Sequence, residues 1–398
     1  MSYPTDLSPE ERELAQAQLR ELAEKFTADG TLRTAQWHEV FLRTWRHPYV
    51  PTYYPDLGVP CLLCIDPRRR HEWLAAVYSN QTLITKVVQV PHSRTLRPGS
   101  YPMFTSSSTL PSLVLTLLEA LDVTDGCRVL EIGTGSGYNA ALLCERLGSE
   151  HVTSVDIDPE LVELARERLA NNGYHPTLAA VDGADGYPEG APYDRIIATC
   201  SVPTIPPAWL TQAAPEGLIM ADVRGKFGGS VVRLTVADDG TATGHFIPGY
   251  ASFMPLRHTL DVPVPGPIWE TDDSPAESVS EFDPALLQSS HEFGFVAQWY
   301  LPDVTWGPTT EDGAAGVHLR ASDGSRASVQ GTRTDSSFLV SQAGPRQLWD
   351  RVEEAYTFWQ QTGRPPSDRF GITATATDQY VWFDHPDSKH RWNLPYAD

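Results

Sequence analysis

The sequence predicts an α/β protein, a doubly wound parallel sheet covered by helices on both faces, with a small α+β domain appended after it. Three observations predict it. Between residues 110 and 199, apolar runs of strand length alternate with stretches of helical period. A glycine-rich turn, Gly133-Thr134-Gly135-Ser136-Gly137, joins the first of these strands to the next helix. The stretch from Val262 to Pro284 is proline-rich and acidic, the composition of a linker, and the pattern changes beyond it.

Taken in order, Ser8-Pro9-Glu10-Glu11 forms a capping box with proline at the first helical position, and Leu14, Leu19, Leu22, Ala23 and Phe26 follow at helical spacing. A second helix fits Thr34 to Trp45, before Pro48, Pro51 and Pro55 interrupt regular structure. Residues 56–108 read as irregular, with strand-like pieces at 61–65, 73–78 and 83–90. The regular part predicts a helix over 110–121, a strand at Arg128 to Ile132, a helix over 138–147, a strand at 152–156 and a helix from Pro159 to Asn172 capped by Asp158. Strands fit 177–181, 193–199, 217–223, 230–236 and 243–249. Past the linker, strands are expected at 293–300, 315–321, 326–330 and 336–341, a helix over Pro345 to Thr362 and a hairpin across 370–384. The expected domains are therefore 1–262 with an insertion at about 56–104, a linker at 263–284, and a small α+β domain over 285–398.

Composition narrows the function classes. With 51 acidic and 30 basic side chains the chain carries a formal charge of −21, a field that repels phosphate backbones and anionic lipid. Nucleic acid and membrane surfaces are thus not expected partners, and Arg68-Arg69-Arg70 reads as a solvated loop. No apolar stretch reaches the roughly 20 residues of a membrane span, and the start of the chain lacks the charge and apolar segment of a signal peptide, so a cytoplasmic protein is expected. The 5 cysteines are sparse and odd in number, as free thiols in a reducing compartment are. Cys61 and Cys64 have knuckle spacing but no second pair, so no metal site is expected.

The chemistry gathers at strand ends. The glycine turn lets backbone approach a ligand and aims a helix N-terminus at it. Asp156 ends the next strand, 19 residues beyond Gly137, where a carboxylate can accept both hydroxyls of a ribose. Asp182-Gly183 ends the third strand, placed to meet an adenine edge. The Gly-x-Gly-x-Gly spacing lacks the third-glycine position of dinucleotide binders, and no lysine stands ready for phosphates, so S-adenosylmethionine fits better than a pyrophosphate compound. Glu131 is expected near its cationic methionine end. The candidate cofactor residues are Glu131, Gly133, Thr134, Gly135, Gly137, Tyr138, Asp156, Ile157, Asp182, Gly183 and Thr199. On this reading the sheet is a Rossmann-like class I S-adenosylmethionine-dependent methyltransferase sheet.

Val129 to Ala141, Asp182-Gly183-Ala184-Asp185-Gly186-Tyr187-Pro188, Ala191-Pro192-Tyr193-Asp194, Ser201 to Pro206, Phe253-Met254-Pro255-Leu256 and His47-Pro48-Tyr49-Val50-Pro51 together resemble the protein-L-isoaspartate O-methyltransferases. The resemblance spans roughly residues 10–260 and implies S-adenosylmethionine as cofactor and a peptide carboxylate as acceptor. The family's substrate-contacting serine falls on Thr109, before Leu110-Pro111, with Ser106, Ser107 and Ser108 preceding it. Thr109, Ser108 and Ser107 are therefore the candidate catalytic residues, with a helix N-cap as the alternative role of Thr109. The insertion and the extra domain are similar to the branch of the family that accompanies ribosomally made, post-translationally modified peptides, in graspetide (ATP-grasp) or lanthipeptide systems. That branch implies methylation of an aspartate in an already cyclised precursor peptide, the ester collapsing to aspartimide or isoaspartate. The appended domain is then expected to recognise the precursor. The alternative is a repair methyltransferase acting on isoaspartyl residues of damaged proteins.

Overall fold

The computed structural model describes residues 5–55, 60, 63–91, 100–249, 251–260, 275–311, 314–331 and 337–394. They divide into two compact units, one drawn from Met1–Cys200, Thr211–Met220 and Met254–Gly266, the other from Ser201–Leu210, Ala221–Phe253 and Pro267–Asp398. This differs from the linear division at residue 262 expected from the sequence, because 201–210 and 221–253 group with the C-terminal residues.

The first unit opens on helices α1 (Pro9–Ala28) and α2 (Ala35–Arg43). The capping box forms as read: Ser8 Oγ accepts from the Glu11 amide, and Glu11 accepts from the Ser8 amide. Helix α3 (Arg70–Val77) follows, then strands β1 (Leu83–Pro91) and β2 (Ser100–Ser108), paired antiparallel. The strand-like reading of 73–78 is thus corrected, since Trp73, Leu74 and Val77 are buried at the spacing of one helical face. The reading of 61–65 is corrected over Leu63–Ile65, which is a single 3-10 turn, while Cys61 and Leu62 lie outside the described residues. Arg70 is no solvated loop residue either: it is buried and donates to Glu11 Oε1 at 2.7 Å, whereas Arg68 and Arg69 are exposed as expected.

The remainder of this unit is the expected alternation: α4 (Pro111–Leu121), β3 (Val129–Ile132), α5 (Tyr138–Leu147), β4 (Val152–Asp156), α6 (Pro159–Asn171) and β5 (Thr177–Ala180). Next come β6 (Tyr193–Val202), α7 (Pro207–Gln212) and β7 (Ala213–Arg224), all three giving residues to both units. The strand order is β7-β6-β3-β4-β5. β3 pairs parallel with β4 (Val129 opposite Val152) and with β6 (Val129 opposite Arg195), and β4 pairs parallel with β5. The chain therefore winds outward from β3 on one side and returns on the other, which opens a crevice at the carboxyl ends of β3, β4 and β6.

The second unit contains β8 (Gly229–Val236), β9 (Ala242–Phe246), β10 (Ala276–Ser280), α8 (Leu286–Ser289) and α9 (His291–Tyr300). It continues through β11 (Thr305–Glu311), β12 (Ala314–Arg320), β13 (Arg326–Gly331), β14 (Phe338–Ala343) and α10 (Leu348–Gln361) to β15 (Phe370–Ala374), β16 (Gln379–Phe383) and β17 (Arg391–Asn393). One antiparallel sheet runs β10-β14-β13-β12-β11, and β17-β16-β15-β9-β8 are also antiparallel neighbours. The strand expected at 293–300 is helix α9, capped by Ser290, and every residue from Phe293 to Trp299 is buried. A helix apolar on all sides shows no amphipathic period, which is why it reads as a strand. Ala276–Ser280, inside the expected linker, forms a paired edge strand; 261–274 lie outside the described residues. The aromatic side chains of this unit make its core, with Phe293 against Trp359 at 5.4 Å and Phe282 against Trp349 at 5.5 Å between ring centres.

Candidate active site

A cavity of about 590 Å³ lies at those strand ends, within the first unit. Its floor is Ile132, Gly133 and Gly135 after β3, Val155, Asp156 and Ile157 at the end of β4, Gly183 after β5, and Thr199 and Cys200 of β6. β2 contributes Met103 to Ser107, Thr109 follows, and Met254 to Thr259 complete the wall.

The turn after β3 is held by backbone. The amides of Gly133 and Thr134 donate to the Val155 carbonyl at 2.8 and 3.1 Å, and Thr199 Oγ1 donates to the Gly133 carbonyl at 2.8 Å. Gly133 has φ +100° and a Cβ there would lie 2.6 Å from Thr199 Oγ1, so only glycine fits. The Gly135 amide donates to Asp156 Oδ2 at 2.9 Å, and the Asp158 amide donates to Oδ1 at 3.1 Å. Burial raises the Asp156 carboxyl above the ordinary carboxylate range, opposed by these two amides.

The structure brings Gly133, Gly135, Asp156, Ile157, Gly183, Thr199, Ser107 and Thr109 to one cavity wall or floor. The other candidates do not line it: most are buried behind that surface, and Asp182 stands beside lining residue His258. Glu131 does not line the cavity; it is fully buried, accepting from Ser154 Oγ at 2.5 Å and from Asn139 Nδ2 at 2.7 Å. Burial pushes its carboxyl up to about 7, against the pull of those two hydrogen bonds. Thr134 is buried in the same network, its hydroxyl 2.7 Å from that of Ser154. Gly137 caps α5, and Tyr138 is buried with its hydroxyl donating to the Thr44 carbonyl at 3.4 Å. Asp182 caps the turn that follows it through the Ala184 amide, 2.9 Å from Oδ1, while Oδ2 lies 2.8 Å from His258 Nδ1.

On the acceptor side, Ser108 is a correction. Its hydroxyl is buried and accepts from Arg46 Nε at 3.1 Å, away from the cavity that Ser107 and Thr109 line. The N-cap alternative for Thr109 is also corrected, since Leu110 holds that position without a side-chain cap. Ser106 joins the lining and accepts from Thr85 Oγ1 at 2.9 Å. Thr105 lines it as well, with a buried hydroxyl that has no hydrogen-bond partner among the described residues.

Sequence reasoning missed Thr105, Cys200, Arg257 and His258. The usable signal was Phe253-Met254-Pro255-Leu256, of which Met254 to Leu256 line the cavity. The donor set suits an adenosyl group: a carboxylate beside a glycine turn, no lysine in the lining among the described residues, and apolar side chains from Ile132, Val155, Ile157 and Leu256. Also among the described residues, no group of three or more His, Cys, Asp or Glu could hold a metal ion, and no helix is long and apolar enough to cross a membrane.

Known proteins are similar to this chain over most of the residues that build the cavity. The family model described as protein-L-isoaspartate(D-aspartate) O-methyltransferase (PCMT) matches residues 78–255. A protein-L-isoaspartate O-methyltransferase of Ignicoccus hospitalis is 39% identical over 149 residues, covering 37% of this chain and 70% of that protein. Protein-L-isoaspartate O-methyltransferase 2 of Archaeoglobus fulgidus is 32% identical over 192 residues, covering 47% of this chain and 80% of its own length. A solved structure of a protein-L-isoaspartate O-methyltransferase aligns at 19% identity with a TM-score of 0.50, over 93% of this chain and 100% of its own. Covering 93% of this chain, that alignment extends into the residues after 262, which read from the sequence as an appended domain similar to the peptide-maturation branch. The chain has the class I S-adenosylmethionine-dependent methyltransferase fold with a β-rich C-terminal part, its cofactor is S-adenosylmethionine, and it belongs to the protein-L-isoaspartate(D-aspartate) O-methyltransferase family.

Proposed function

We propose that the chain methylates the free carboxylate of isoaspartyl residues in peptides or proteins, with Gly133, Gly135, Asp156, Ile157, Gly183 and Thr199 holding the methyl donor. The observation that carries the reading is that Ser107 and Thr109 share one cavity with Asp156 and the glycine turn. Bound there, S-adenosylmethionine supplies an electrophilic methyl group. The chain's own task is positioning. An aspartyl-type carboxylate, with an ordinary value near 3.9, is ionised at neutral pH and needs no general base. Hydroxyls of Thr109 and Ser107 hydrogen-bond one acceptor oxygen and leave the other free, and the apolar walls keep water from solvating it. The Thr109 hydroxyl makes no hydrogen bond among the described residues, which leaves it available.

A second reading, from the resemblance to the peptide-maturation branch, is methylation of an ordinary aspartate in a cyclised ribosomal peptide, with the C-terminal unit recognising the precursor. The names of the relatives support the isoaspartyl acceptor. Steady-state assays separate the two. A linear isoaspartyl peptide with higher kcat/KM than both its aspartyl isomer and a cyclised aspartyl peptide supports the first reading; strict dependence on the cyclised peptide supports the second and defeats the first.

A further inference from the structure

Arg46 is 1% exposed, and its guanidinium is enclosed by neutral oxygens. Nη1 donates to the carbonyls of Val77 at 3.0 Å and Ser79 at 3.3 Å. Nη2 donates to the carbonyls of Gln81 at 3.0 Å, Ser108 at 2.9 Å and Thr109 at 3.1 Å, and Nε donates to Ser108 Oγ at 3.1 Å. No carboxylate pairs with it among the described residues. A buried cation is ordinarily paired, because desolvating an isolated charge costs several kcal/mol. Here carbonyl dipoles from the end of α3, the connection between α3 and β1, and the end of β2 with Thr109 after it replace the counter-ion.

Two of those carbonyls belong to Ser108 and Thr109, in the stretch whose Ser107 and Thr109 line the cavity. Tying Ser108 inward through both its hydroxyl and its carbonyl fixes which side chains of this stretch face the acceptor. The charge also lies directly behind the ledge, on the side remote from solvent, where it is weakly screened and favours an anion in front.

We propose that Arg46 is the positioning residue of the acceptor subsite: it locks the Ser107–Thr109 ledge by its carbonyl contacts and lends that subsite a preference for a carboxylate over its neutral isostere. The inference rests on the acceptor reading above. It deepens that reading by naming an anionic selectivity built from a residue that does not line the cavity.

The test compares the whole chain with Arg46→Lys, Arg46→Met and Ser108→Ala. Three quantities are read: the KM and kcat for a linear isoaspartyl peptide, the inhibition constant of the same peptide with isoasparagine in place of isoaspartate, and the affinity for S-adenosylhomocysteine by calorimetry. In Arg46→Met the acceptor KM is expected to rise about tenfold, while the neutral isoasparagine peptide and S-adenosylhomocysteine bind within about twofold of the unmodified chain. Arg46→Lys, which keeps the charge, recovers most of the anion preference. Ser108→Ala, which removes one acceptor and leaves the charge, raises KM about threefold and preserves folding if Arg46→Met does not. An unchanged acceptor KM in Ser108→Ala or in a folded Arg46→Met, equal weakening of the isoasparagine peptide, or loss of S-adenosylhomocysteine binding in parallel with acceptor binding, overturns the proposal. Failure of the unmodified chain to methylate any isoaspartyl peptide overturns the acceptor reading and this inference with it.

Discussion

Asp156 and Gly135 are joined by a hydrogen bond of 2.9 Å from the glycine amide to Oδ2, so the carboxylate proposed for the ribose also fastens the turn beneath it. Removing it therefore does two things at once. Asp156→Ala is expected to weaken S-adenosylhomocysteine binding at least tenfold by calorimetry, about 1.5–3 kcal/mol for a charge-assisted bond to a buried carboxylate. Asp156→Asn retains one acceptor oxygen and should lose less.

Thr109→Val keeps the shape of the side chain and deletes the hydroxyl. Methyl transfer to an isoaspartyl peptide should fall by about tenfold to a hundredfold while donor affinity holds, since a single hydrogen bond from a hydroxyl to a charged acceptor contributes about 1.5–3 kcal/mol. Thr109→Ser should restore it. Equal loss of donor affinity would instead mark Thr109 as part of the general wall.

Glu131 predicts a pH signature. Its folded value of about 7 lies above the ordinary 4.5, so the folded chain holds a proton that the unfolded chain releases between those values. Its contribution to stability is therefore most favourable below about 4.5, falls as pH rises toward 7 and is flat above. The full penalty is on the order of 3 kcal/mol. Glu131→Gln cannot release a proton. The Tm of the unmodified chain relative to this variant should drop steadily between pH 4.5 and 7, and a pH-independent difference would contradict the assignment.

Gly133 and Gly126 separate strain from crowding. Both have positive φ, +100° and +84°, but a Cβ at Gly126 meets nothing within 4 Å whereas one at Gly133 overlaps Thr199 Oγ1. Gly126→Ala should cost about 1 kcal/mol by denaturant unfolding, and Gly133→Ala about 2–3 kcal/mol, with loss of donor binding confined to the latter.

The legible part of the fold was the part governed by local pattern. β3 to β6 and their helices are apolar runs punctuated by Gly133, Gly148, Asp158 and Gly173, and each of those residues ends or caps an element. β2 was illegible because Thr105-Ser106-Ser107-Ser108 has loop composition; its strand form depends on pairing with β1, where Ser108 faces Leu83. The site was legible where a residue sits at a strand end, as Asp156 and Gly183 do. It was not legible where a distant residue chooses the orientation: Ser108 turns from the cavity because of Arg46, 62 positions earlier, and His258 reaches Asp182 from 76 positions later.

On the reading proposed above, one cavity holds an adenosyl donor beside a peptide carboxylate. A crystal structure of the chain with S-adenosylhomocysteine and an isoaspartyl peptide tests it most directly. The ribose hydroxyls are expected on Asp156, the adenosyl group over Gly133 to Gly135, and the isoaspartyl carboxylate within hydrogen-bonding distance of Thr109 Oγ1. An adenosyl group bound elsewhere, or a carboxylate held away from Thr109 and Ser107, would contradict it.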